Sequence, residues 1–295
     1  MESDILKKAI FPIAGFATRF LPLSKAIPKE LIPLADKPLL HYSIKEAVDS
    51  NIKEIIFVIQ PEQREFLKYL FDNARLKSFL EERKKEEALK ILNELNDLFQ
   101  KVSFSFVPQK EPLGDAHAIF QAHNLIGNEA CGVFFSDDVI DAEVPAMQQL
   151  KDVFKTAKCP VVALKQIPKE KLSNYGIVKV EKLANSIYKI KGTVEKPSPE
   201  KAPSNLAIVG RSIITPEVFE YIKSFKIKKG AEISLTQVFN KMVQDGKTIY
   251  GYEIKGEWLE CGDISRWFFS FIYLALRHPK FGPQIKEYLK SLKLL

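Results

Sequence analysis

Two continuous apolar runs near the amino terminus, KAIFPIA (residues 8–14) and EIIFVIQ (residues 54–60), flank a segment of helical periodicity. Runs without polar alternation belong to strands covered on both faces. Between them PLLHYSIKEAVDSN (residues 38–51) sets Leu40, Ile44, Ala47 and Val48 on one helical face. Strand, loop, helix, strand is a βαβ unit, which requires a parallel sheet and a right-handed crossover. Further strands are predicted at VSFSFVPQ (102–109), GVFFSDD (132–138), CPVVALKQI (159–167) and NLAIVGRSIIT (205–215). A helix is predicted over GDAHAIFQAHNLI (114–126), with Asp115 as its N-cap. GIVKVEKL (176–183) and IYKIKGTVEKP (187–197) alternate more openly and predict a β-ribbon. The expected fold class is α/β: a Rossmann-like three-layer αβα arrangement whose mixed, mostly parallel sheet carries a β-ribbon over the active site.

No repeat, low-complexity tract or Gly/Ser linker divides the chain, so one catalytic unit is expected over residues 1–264. Within it, residues 62–101 are dense in charge and hold no apolar strand. They read as an inserted helical hairpin or lid packed on the sheet edge. Residues 265–295 are expected to form aromatic-rich helices that either cap the core or make a subunit interface.

The formal charge is +7, yet the 44 basic residues are dispersed among 37 acidic ones, as in EERKKEEALK. Dispersal opposes nucleic-acid binding, which favours clustered cations with interleaved aromatics, and suits small polyanions. No apolar run reaches the roughly 20 residues that span a bilayer, and MESDILKK carries no signal-peptide pattern, so no membrane partner and a cytoplasmic location are expected. Cys131, Cys159 and Cys261 show no CxxC spacing, and His41, His117, His123 and His278 no metal spacing. No Ser/His/Asp or Cys/His set suggests a covalent nucleophile.

The chemistry concentrates in GFATRFLPLSKAIPKELIPLADKP (residues 15–38), directly behind the first strand. There Arg19, Lys25 and Lys29 sit on a loop stiffened by Pro22, Pro28 and Pro33. In open parallel sheets ligands bind beyond the carboxyl ends of the strands, and the first βα loop is the favoured phosphate site. Gly15 admits close backbone approach, Arg19 can fork two phosphate oxygens, and lysines add point charge. The alternative is a basic surface loop. GxGxxG and Walker A patterns are absent, which opposes a dinucleotide dehydrogenase and a P-loop kinase. Asp137–Asp138 closes a strand-like run and suits Mg²⁺, or serves as a turn or cap. Glu195–Lys196 could present a carboxylate to sugar hydroxyls and an ammonium to a phosphate, provided the strand bends there, since neighbours on a strand face opposite ways. Tyr175, Gly176 and Asn205 are equally readable as turn and cap residues.

Taken in order, these segments resemble the sugar-phosphate nucleotidyltransferases, and among them the bacterial-type glucose-1-phosphate uridylyltransferases. The resemblance runs through residues 11–47, 107–119, 133–138, 175–181, 194–215, 232–239 and 258–263. It implies UTP and glucose 1-phosphate as substrates, Mg²⁺ as cofactor, and a homodimer or homotetramer, for which RWFFSFIYLALR (266–277) offers a surface. Ala14, Gly15, Phe16, Thr18 and Arg19 would hold the UTP phosphates with Lys29, and Lys25 and Glu30 belong to the same nucleotide-binding stretch. Gln109 and Gly114 would meet the uracil edge and the ribose. Asp137 would ligate Mg²⁺ with Glu260. Tyr175, Gly176 and Glu195 would meet the glucose, Lys196 its phosphate, and Asn205 would support the sugar pocket. Arg19, Lys29, Asp137 and Lys196 form the implied catalytic group.

Three positions depart from the family pattern. Ala17 stands where the loop ordinarily has glycine, Glu260 where Asp precedes Cys-Gly, and PLGDAHA (112–118) is longer than the usual GLGHA. The last bears on nucleotide choice, so dTTP, CTP or another sugar phosphate stays open. The first two leave open a non-catalytic regulatory paralogue.

Overall fold

In the computed structural model, which describes residues 5–63, 71, 73–226 and 230–294, the two apolar runs pair in parallel. β1 (Lys8–Pro12) sets Ile10 opposite Ile56 and Phe11 opposite Phe57 of β2 (Glu54–Ile59). In chain order there follow β3 (Ser103–Pro108), β4 (Cys131–Phe134), β5 (Asp138–Asp141), β6 (Val161–Gln166) and β7 (Gly176–Ala184). They are completed by β8 (Ile187–Glu195), β9 (Leu206–Ile214), β10 (Tyr250–Glu253) and β11 (Glu257–Glu260). A nine-stranded sheet has the order β3-β2-β1-β4-β9-β6-β10-β8-β7, while β5 and β11 pair apart from it. The block β3-β2-β1-β4 is parallel, β9 runs antiparallel between β4 and β6, and β10 is parallel to β6. The β7–β8 ribbon is hydrogen-bonded into the sheet, at β10 and through Ile177 opposite Ala207 of β9.

Helices cover both faces, as strands buried on both sides require. α1 (Leu39–Asp49) and α5 (Ala146–Ala157) pack on the face carrying Ala9, Phe11, Ile55 and Phe57. α4 (Asp115–Gln121), α6 (Pro216–Ser224) and α7 (Leu235–Gln244) pack on the face carrying Ile10, Ile56 and Val133. The charged insertion contains α2 (Ala74–Glu82) and α3 (Glu86–Phe99), part of it (64–70 and 72) lying outside the described residues. Phe99 and Phe71 pack on Phe104 of β3, the sheet edge. α8 (Ile264–Arg277) and α9 (Gly282–Ser291) complete the chain, and among the described residues no helix is long and apolar enough to cross a membrane.

Two local expectations change. The helix expected over 114–126 splits, its first piece ending at Gln121. Gly114, at φ 99°, occupies the N-cap, and Asp115 is the first helical residue. Its Oδ1 accepts instead from Leu235 N at 2.7 Å, the first amide of α7, whose own N-cap is Ser234. Likewise β4 stops at Phe134, so Asp137 lies in a turn and Asp138 opens β5.

Candidate active site

β1 and β4 are neighbours at the point where strand order reverses, and the loops leaving their carboxyl ends share one crevice. Behind β1, Ile13 N donates to Val58 O and Gln60 Nε2 to Ala14 O at 2.8 Å, which fixes where the loop leaves the sheet. Gly15, Phe16, Thr18 and Arg19 are exposed, while Phe20 anchors the loop in the core. Ala17 has φ 50° and ψ 43°, a left-handed conformation that strains an L-residue by about 1 kcal/mol or more relative to glycine. Thr18–Phe20 and Lys29–Leu31 form single 3₁₀ turns around a short helix, Leu23–Ala26, that carries Lys25 into solvent.

Lys29 Nζ reaches Asp137 Oδ2 at 2.9 Å across the crevice. Burial by itself would discharge Lys29, but Asp137 and Glu30 outweigh it and hold the ammonium charged. Burial would also raise Asp137, and Lys29 outweighs it there, so Asp137 stays a carboxylate. Glu30 is turned inward toward the Ser136 hydroxyl, and burial raises its pKa despite Lys29 beside it. Glu30 thus supports the pair from below rather than facing the crevice. Ser24, next to Lys25, has a buried hydroxyl without a hydrogen-bond partner among the described residues. It shares a hollow with Gly15, Lys25, Lys29 and Gln60.

The turn that presents Asp137 is held from inside. Arg211, 1% exposed, meets Glu46 of α1 through Nε and Nη2, the latter at 2.8 Å. Its Nη1 donates to Phe135 O at 2.9 Å, and Cys261 N donates to Asp137 O at 2.6 Å. Asp138 turns the other way: its Oδ1 accepts from Trp258 Nε1 at 2.6 Å. A Cβ at Gly210 would come within 2.3 Å of Asp138 Oδ2, so glycine is what lets that carboxylate fit. Burial, reinforced by Asp137, pushes the Asp138 carboxyl up to about 7. The Asp-Asp pair therefore divides: Asp137 faces Lys29 and Asp138 organises the wall.

The opposite wall is the inner end of the β7–β8 ribbon, where Glu195 pairs with Gly176. Lys196 has φ 46° and its N–H donates to Tyr175 O at 3.0 Å. This is the bend that the Glu195–Lys196 pair required: Lys196 Nζ comes to 3.6 Å from Glu195 Oε1 and remains largely exposed. A Cβ at Gly176 would lie 3.0 Å from Thr236 and 3.1 Å from Glu195 Oε2, tight enough to favour glycine. Asp115, acceptor of the first α7 amide, borders the same cleft and is pushed up to about 7 by burial, with Glu195 and Glu232 adding repulsion. Behind it, Gln109 is buried and joins Gly114 O (3.2 Å) to His117 Nδ1 (3.0 Å). Asn205 is exposed and stands outside the cleft lining; its carbonyl accepts from Ile167 N at 3.0 Å.

Glu260 ends β11 opposite Asp138. One carboxylate oxygen accepts from Tyr175 Oη and the other from Arg266 Nη1, whose segment the sequence offers only as a subunit surface. Arg266 also lies 5.3 Å over the Tyr175 ring. Both Glu260 oxygens are thus oriented by donors from outside the Lys29–Asp137 pair. Among the described residues no group of three or more His, Cys, Asp or Glu side chains is arranged to hold a metal ion.

A crevice at the strand-order reversal, cationic on one wall and carrying a carboxylate on the other, is the ground plan of a phosphate-handling transferase. The nucleotidyl transferase family matches residues 8–271, and the chain belongs to that family. Within it, the UTP–glucose-1-phosphate uridylyltransferase of Staphylococcus haemolyticus is 36% identical over 287 residues, 97% of this chain and 98% of that protein. The crystal structure of a UDP-glucose pyrophosphorylase complexed with UDP-glucose matches at TM-score 0.83 and 34% identity, covering 92% of this chain and 100% of the other. A UTP-bound UGPase from Acinetobacter baumannii matches at TM-score 0.88 and 30% identity, covering 97% of this chain and 99% of that one.

Proposed function

We propose that the protein transfers UMP from UTP to glucose 1-phosphate, producing UDP-glucose and pyrophosphate. The observation that carries this is the Lys29–Asp137 pair at the β1/β4 crevice with Lys196 on the facing wall. A phosphate oxygen of glucose 1-phosphate attacks the α-phosphorus of UTP as the bond to the pyrophosphate oxygen breaks. No protein nucleophile is needed. Arg19, Lys25 and Lys29 bind the UTP phosphates and take up the charge that grows on the leaving group. Lys196 neutralises the attacking phosphate, and Glu195 and Gly176 shape the sugar end. Two polyanions are thereby held at reacting distance, where their mutual repulsion would otherwise dominate.

Mg²⁺ is the proposed cofactor: when bound it screens the phosphates and aligns them. Asp137 fits as its protein ligand, since such sites use one or two carboxylates completed by substrate phosphates and water. Glu260 is the candidate second ligand: its oxygens accept from Tyr175 and Arg266 and each keeps a lone pair for the ion. The partners are thus UTP and glucose 1-phosphate rather than nucleic acid or membrane, in a cytoplasmic setting that suits the three unpaired thiols. A homo-oligomer is proposed through α8, where Phe269 is 72% exposed beside exposed Phe268 and Ile272.

Pyrophosphate release with glucose 1-phosphate and Mg²⁺, comparing UTP with dTTP, tests the reading. Release with UTP supports it. Preference for dTTP moves the nucleotide assignment to the Gln109–Gly114 pocket. Nucleotide binding without release supports a regulatory paralogue, to which strained Ala17 and engaged Glu260 both point.

A further inference from the structure

We infer that Arg266 is a positioning residue for the phosphate end of the cleft: it detains the Glu260 carboxylate, so that Arg19 keeps its guanidinium for the nucleotide. The inference rests on the reading of this cleft as a UTP site.

Gly262 is where the two charges come together. A Cβ built there would lie 3.4 Å from Glu260 Oε1 and 3.6 and 3.7 Å from the terminal nitrogens of Arg19. Both groups therefore crowd the same face of one residue, within a side-chain rotation of each other. An exposed guanidinium next to a carboxylate should close on it, because a bidentate pair is the strongest contact either can make in the absence of ligand. It has not closed. Among the described residues Arg19 makes no ion pair, and Glu260 is bonded to Arg266 and Tyr175 instead.

Arg266 is built to win that competition. It sits in the first turn of α8, where its own N–H donates to the N-cap Asp263 Oδ1 at 3.0 Å. Its Nε lies 3.2 Å from Asp263 Oδ2, and its guanidinium stacks over Tyr175. The fork is thus ordered before it meets Glu260, whereas Arg19 projects from an exposed single-turn loop. The extra methylene of glutamate matters here. A shorter aspartate at 260 would hold its carboxylate nearer the backbone and farther from α8, so Glu260 and Arg266 act as a matched pair. The outcome is one cation neutralising two acids, Glu260 and Asp263, at the sugar end, and one cation left unpaired at the phosphate end.

UTP binding measured by calorimetry in excess EDTA tests this without turnover and without metal. Arg266→Ala should weaken UTP binding about tenfold, the effect of diverting one charged phosphate contact. Glu260→Gln added to Arg266→Ala should restore most of that loss, because it removes the charge that captures Arg19 and leaves its size almost unchanged. Arg266→Lys should fall between wild type and Arg266→Ala. A merely structural role for Arg266 would give no rescue by Glu260→Gln. Wild-type affinity in Arg266→Ala, or a double variant no better than the single one, overturns the inference. Wild-type protein that binds no UTP either in EDTA or in a parallel titration with Mg²⁺ overturns the underlying reading of the cleft.

Discussion

At the proposed phosphate end of the cleft, Arg19 and Lys25 stand in solvent and Lys29 hydrogen-bonds a single carboxylate; at the proposed sugar end the acids are already occupied. Glu260 holds Tyr175 and Arg266, Asp115 holds the first amide of α7, and Asp138 holds Trp258. The two ends also arise from different architecture. The phosphate end is made by loops that leave parallel β1 and β4 in the same direction, the first carrying Arg19, Lys25 and Lys29 and the second Asp137. The sugar end is made where antiparallel strands end, so acids and donors from distant segments meet and neutralise. Electrostatics gives the reason. A polyanion is captured by cations whose charge is still unspent, whereas neutral hydroxyls need only acceptors fixed in place.

That contrast can be broken by mutation. Asp137→Ala should have the largest effect, abolishing Mg²⁺-dependent pyrophosphate release while thermal melts show an intact fold. Retained turnover with an unchanged Mg²⁺ optimum would remove Asp137 from the phosphate end. Lys196→Ala comes next, with turnover down on the order of 100-fold or more, as for loss of a charged contact to the reacting groups. Near-normal rates would mean that Lys196, exposed and bent toward Glu195, belongs with the neutralised end instead.

Smaller effects sharpen the comparison. Asp115, whose carboxyl is pushed up to about 7, binds more protons folded than unfolded between its ordinary range and that value. Stability lost through this group therefore grows as pH rises across that window and levels off above it. Asp115→Asn keeps an acceptor for Leu235 N and should raise Tm by a few degrees at pH 8, with the gain shrinking toward pH 5. An equal gain at both pH values would show that the buried charge is not its source. The smallest change is Ala17→Gly. Relief of the left-handed strain should tighten UTP binding a few-fold, read by calorimetry, and weaker binding would show that the methyl helps to shape the loop.

Much of the phosphate end is legible in the order of residues alone. Unbroken apolar runs specify parallel strands, and three cations among three prolines directly behind one of them mark a candidate phosphate loop. Even the bend at Lys196 can be deduced, since a Glu-Lys pair on a straight strand would split across two faces. These inferences work because backbone periodicity and local charge are properties of adjacent residues.

What tertiary contacts settle are the roles of acids that look alike in the sequence. Nothing local separates Asp137 from Asp138; Lys29 claims the first, while Trp258, 120 positions away, claims the second. Asp115 reads as the cap of its own helix, yet Gly114 holds that position and the Asp115 carboxylate accepts from Leu235 N, 120 positions onward. Glu260 shows no partner in its own motif, and the first turn of α8 brings Arg266 to its carboxylate. A carboxylate's role depends on which donor reaches it in a desolvated space, and reach is set by strand order and packing across the whole chain. Local sequence thus dictates the frame and the cationic loop, and the fold assigns each acid its partner.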